Sequence, residues 1–132
     1  MLIFVDTETT GVSVYEDRIV ELAATQAPTN PRYLGASFSM IVRVDPEVLA
    51  ERGDAAEAVH GITKEEISKG TAFPDAWQQF VQWTDDLLNM AVVEQGESDS
   101  EVDLETRLMP ETPTLLMAAH NGQNTLCFRH EL

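Results

Sequence analysis

The chain has 132 residues, 43% hydrophobic and 23% charged, with 8 Lys plus Arg against 23 Asp plus Glu and a formal net charge of −15. This holds at most one modest domain and excludes wholesale disorder, collagen-like repeats and a coiled-coil rod. The acidity argues against non-specific polyanion binding through counterion release. It still allows carboxylates that hold a divalent cation, because a bound ion reverses the local sign.

In chain order, Leu2 to Val5 is a short, wholly apolar run that predicts a strand buried on both faces, with Asp6 at its C-terminal end. Arg18 to Ala24, carrying Ile19, Val20 and Leu22, predicts a second strand, closed by a loop with Pro28 and Pro31. Phe38 to Val44 alternates, with Phe38, Met40, Val42 and Val44 on one face, and predicts a third. The close spacing of these runs suits hairpin connections.

After Asp45-Pro46 the pattern turns helical. Thr63 and Glu66 stand at capping-box spacing and open a short helix that Gly70 ends. Pro74 opens a longer helix to about Met90, with Trp77, Phe80, Val81, Thr84, Leu87 and Leu88 on its apolar face. These aromatics read as core packing. Residues from about 94 to 113 form an acidic stretch that reads as a solvated, mobile insertion. Leu115 to Ala119 predicts another strand, ending at His120-Asn121-Gly122, and Asn124 could cap a last helix from near Thr125. Strand, helix, strand order points to an α/β layer with a right-handed crossover.

Cys127 is the single cysteine, so no intrachain disulfide is expected and a reducing compartment fits. Neither a signal peptide nor an apolar run of about 18 residues is evident, so the expectation is a soluble, intracellular chain with no membrane partner.

The sharpest chemical feature is Asp6-Thr7-Glu8. Residues i and i+2 of an extended backbone share a side, so both carboxylates can face one point. Converging carboxylates repel unless a cation joins them, and Mg²⁺ and Mn²⁺ favour such oxygen ligands. An Asp-x-Glu triplet alone is common, and a loop Asp beside a surface Glu is its plain structural reading. His60 and His120 read first as structural residues, and Cys127 as a packed thiol.

Ile3 to Gly11, with Asp-Thr-Glu-Thr-Thr-Gly at residues 6–11, resembles the first motif of the DEDD superfamily of 3′–5′ exonucleases, in its DEDDh-like form. Arg18 to Ala24 resembles that family's second strand, Val59 to Thr63 the segment before its first long helix, and Ala118 to Gly122 the opening of its second motif. The resemblance spans nearly the whole chain in order and approximate spacing. It implies an α/β fold with a ribonuclease-H-like mixed β-sheet flanked by helices, as one domain over residues 1–132. It also implies metal-dependent hydrolysis of nucleic-acid phosphodiester bonds from the 3′ end, with two divalent ions, Mg²⁺ or Mn²⁺, clamping the reacting phosphate. By this resemblance Asp6 and Glu8 are metal ligands, Thr9 and Thr10 sit beside the terminal nucleotide, Ile62 packs against the terminal bases, Asn121 faces the strand backbone, and Thr7 and His60 are further substrate-binding residues.

The sequence departs from the family where a metal-binding aspartate is expected. Thr125 and Leu126 stand there, with neutral Asn124 one place earlier. The third motif, with its His or Tyr base and final aspartate, has no counterpart, so the fold is expected to be C-terminally incomplete, with no assignable catalytic base and one ion at most. An alternative remains: a non-catalytic exonuclease-like module binding a nucleic-acid end, or a protein partner that covers the shortened sheet. A third is an incomplete reading of a longer gene.

Overall fold

The computed structural model describes residues 1–28, 30, 32, 34–96, 115–119 and 129–130. In chain order they form β1 (Leu2–Thr9), β2 (Ile19–Gln26), β3 (Ser37–Ile41), α1 (Pro46–His60), α2 (Lys64–Ser68), α3 (Phe73–Gly96), β4 (Leu115–Ala119) and β5 (Arg129–His130). The strands make one mixed sheet in the order β3-β2-β1-β4-β5. The short connections of β1 to β2 and β2 to β3 give antiparallel pairs. β4 lies parallel to β1, which the long helical crossover allows.

α3 covers one face of the sheet. Ile3, Leu22, Ala24 and Leu115 from the strands pack with Ala76, Phe80, Leu87 and Leu88 from the helix. Phe80 is the largest fully buried side chain, with its ring 5.6 Å from Phe38 and 6.1 Å from Trp83. A second cluster joins Val20, Val44, Leu49 and Ile67, with Ile41, Val48 and Ile62 against it. A bulge decides which cluster each β2 residue enters. Glu8 pairs with Glu21 but Thr9 with Ile19, so Val20 is the extra residue and turns into the second cluster.

The sequence expectations hold for β4, for the hairpins and for the Thr63–Glu66 capping box. Elsewhere the structure corrects them. β1 runs on to Thr9, because its residues keep pairing with β2. It is also not buried on both faces: Ile3 is inaccessible, whereas Phe4 is 53% exposed, because among the described residues α3 covers only the odd-numbered side. β3 stops at Ile41, leaving Val42 in a single parallel bridge to Thr71. α3 begins at Phe73 and continues to Gly96, past the expected end near Met90 and into the start of the acidic stretch. Trp77 and Val81 lie on its exposed flank, while Ala76 and Trp83 join its buried face. Arg129 and His130 form a short strand on β4 instead of lying in a last helix. Residues 97–114 of the acidic stretch lie outside the described residues.

Candidate metal and nucleic-acid site

Asp6 and Glu8 lie on the central strand, on the face away from α3. Among the described residues β4 pairs with β1 as far as Val5 opposite Ala119, and Asp6 is the next residue along β1. It is exposed, and its Oδ1 accepts the Thr7 N–H at 3.0 Å. Glu8 is half-buried. Directly opposite residues of antiparallel strands share a face, so Glu8, Glu21 and Ile41 make one row, and Asp6, Ala23 and Ser39 the next. Phe4 and Ala118 share a third row. The carboxylates therefore stand between two apolar neighbours: Ile41 with the second cluster on one side, and exposed Phe4 on the other.

Glu21 is a residue that sequence reasoning missed. Its Oε1 accepts a hydrogen bond from the Ser39 hydroxyl at 2.7 Å. Opposed like charges on paired strands are unfavourable, so the Glu8–Glu21 row favours a cation. Asp6 and Glu8 are hard oxygen donors suited to a divalent ion. Among the described residues no group of three acidic, His or Cys side chains is gathered closely enough to hold an ion, so what this face offers a cation is the pair Asp6 and Glu8, with Glu21 opposite Glu8 in the same row.

The remaining expected residues divide by geometry. Thr7 and Thr9 alternate onto the α3 side of β1, and the Thr9 hydroxyl donates to Gly11 O at 2.6 Å. Thr10 is buried, and its hydroxyl donates to Asp17 Oδ1 at 2.9 Å and accepts the Arg18 N–H at 3.0 Å. His60 closes α1: its Nδ1 accepts the Ile62 N–H at 3.0 Å, and its Nε2 is buried without a partner among the described residues. Gly61, at φ 77°, caps that helix in the left-handed region open to glycine. Ile62, like Ile41, packs against the second cluster, which places it toward the carboxylate face. Asn121, His120, Asn124, Thr125 and Cys127 lie outside the described residues.

The loop after the carboxylates is held by a partly buried ion pair that the sequence did not reveal. Asp17 accepts from the Thr10 hydroxyl, from the Ser13 N–H at 2.8 Å and from Arg52 of α1 at 3.1 Å, while Arg52 also reaches Glu16 at 2.7 Å. Burial by itself would raise the Asp17 carboxyl. The Ser13 and Thr10 hydrogen bonds and the Arg52 charge outweigh it and hold the group below the usual aspartate range. Gly11 is required by this packing, since a Cβ there would come within 2.8 Å of the Asp17 carboxylate carbon.

Residues 3–94 match the RNase_T exonuclease family model, and the chain belongs to that exonuclease family. Its fold is that of the ribonuclease-H-like exonuclease structures. The nuclease domain of 3′hExo, a DEDDh family member, bound to rAMP, superposes with a TM-score of 0.57 at 14% identity, over 89% of this chain and 50% of that one. A full-length 3′-exonuclease gives 0.55 at 16%, over 89% and 33%. A 3′-exonuclease in a structure of 3′-end-specific recognition of histone mRNA stem-loop gives 0.56 at 15%, over 92% and 36%. The chain thus spans half the length of the first and about a third of the others. No curated protein matches it. Among the described residues no helix is long and apolar enough to cross a membrane.

Proposed function

We propose that this chain is a 3′–5′ exonuclease-type domain that hydrolyses nucleic-acid phosphodiester bonds at the 3′ end with Mg²⁺ or Mn²⁺. The observation that carries this reading is the pair Asp6 and Glu8 on one face of the central strand, in a chain of the exonuclease family. A divalent ion bound there supplies Lewis-acid polarisation of the phosphodiester and offsets the surrounding negative charge. The chain's own residues would do the rest. Asp6 and Glu8 bind the ion, Glu21 keeps the row acidic, and Ile62 and Ile41 offer an apolar surface for the terminal base. Thr10 and Asp17 fix the loop that follows. That the likeness includes a structure bound to rAMP supports a nucleotide 3′ end as the ligand.

A 5′-labelled single strand, DNA and RNA in parallel, incubated with Mn²⁺, Mg²⁺ or chelator, tests this. A metal-dependent ladder shortening from the 3′ end is expected, with Asp6→Ala slower by at least about a hundredfold, the loss typical of removing a key electrostatic group. Absence of cleavage with either ion overturns catalysis by this chain. It would favour the second reading, a non-catalytic module, which the exposure of Phe4 next to the carboxylates and of Leu116 farther along the same face supports.

A further inference from the structure

A cleft of about 850 Å³ opens at the end of the sheet, separate from the row of Asp6 and Glu8. Its walls come from the loop after β1, the start of β2, the residues following β3 and the first residue of α3. Three properties set it apart. Arg18 and Arg43, both exposed, line it. Elsewhere Arg52, Lys64 and Lys69 are each paired with a carboxylate. Arg43 makes no side-chain hydrogen bond or ion pair among the described residues, and Arg18 Nη1 donates only to the backbone oxygens of Tyr15 and Asp17. Two cations therefore stay available in a chain of net charge −15. Of the carboxylates in the lining, Asp17 is committed to Arg52, which leaves Asp45.

The cleft also offers a flat apolar surface. Phe73 is 43% exposed, with its ring 6.3 Å from that of Trp77 and inclined 24° to it. Val12 and Val14 are exposed on the loop that lines the cleft. Guanidinium groups bind phosphate through directed, charge-assisted hydrogen bonds, and an exposed aromatic face stacks a base whatever its identity. An acidic peptide would use the arginines and leave the ring unused.

We infer that this cleft binds a nucleotide unit, its phosphate on Arg18 and Arg43 and its base on Phe73, without need of a metal ion. Nothing in this rests on catalysis at Asp6 and Glu8, so either reading can fail alone. The source can be a free nucleotide or a nucleotide within a single strand.

Calorimetric titration in chelator tests it, with AMP, a hexathymidylate and inorganic phosphate as probes. Binding of AMP or the hexanucleotide is expected, about tenfold weaker in Arg43→Gln, as loss of a charge-assisted hydrogen bond predicts, and unchanged in Asp6→Ala. Arg18→Gln gives a second variant should one of the two fail to fold, with circular dichroism confirming the fold. AMP equal to the hexanucleotide assigns a free nucleotide, and a tighter hexanucleotide assigns a strand. Binding to neither, binding indifferent to both arginines, binding lost in Asp6→Ala, or phosphate as tight as AMP would each overturn the inference.

Discussion

Odd-numbered and even-numbered residues of β1 share one backbone yet meet different surroundings. On the α3 side Ile3 is inaccessible and packs with Phe80, Leu87 and Leu88. On the other side Phe4 is about half exposed, and Asp6 and Glu8 follow it. The first side gains its stability by removing apolar surface from water. The second leaves the oxygens of Asp6 exposed and those of Glu8 partly so, open to a cation. A strand with period two lets one segment do both, and a one-residue slip would exchange the roles.

Four measurements break or sharpen that contrast. Phe80→Ala empties the α3 side and should cost about 3–5 kcal/mol, read from urea unfolding. Its counterpart Phe4→Ala, removing a ring that keeps half its surface in water, should cost well under half as much. A similar loss at both positions would show that something covers the carboxylate face in solution.

Next in size is the loop that follows the strand. Asp17→Asn leaves Arg52 and the Ser13 and Thr10 donors with a weaker acceptor, and should cost about 1–3 kcal/mol. The same ion pair predicts a pH dependence. The folded-state pKa of Asp17 is lowered, so the unfolded chain takes up the proton first. Its contribution is complete above the ordinary aspartate range near pH 4 and is lost as pH falls through the lower folded value. Unfolding midpoints measured from pH 6 downward should therefore fall less steeply in Asp17→Asn than in the parent.

The smallest effect lies within the acidic row. Glu21→Gln removes a like charge opposite Glu8 and should stabilise the metal-free protein by about 0.2–1 kcal/mol. Added Mn²⁺ should stabilise the parent more than this variant, as thermal melts with and without the ion would register. A parent melt that ignores Mn²⁺ would count against a cation at this row.

Much of this molecule was legible as sequence. β4, the hairpin order of the first strands and the Thr63–Glu66 capping box follow from local patterns, because apolar runs and side-chain caps act over a few residues. The choice of Asp6 and Glu8 needed only the two-residue period of an extended strand and a motif resemblance. Elements that depend on partners distant in the chain were not legible. The exposure of Phe4 depends on which face α3 covers. The ion pair of Asp17 with Arg52 links residues 35 positions apart. Glu21 joins the acidic row only through its register with Glu8, and Val20 changes cluster only because of a bulge.

By itself, the sequence determined the family, the strand that carries Asp6 and Glu8 and the helices that follow, since motifs, periodicity and caps are local properties of the chain. Tertiary structure alone decided that the carboxylates stand on the face away from α3 beside Glu21, and that Arg18, Arg43 and Phe73 line one cleft. Register, crossover and packing bring those groups together, and none of these is written in the order of neighbouring residues.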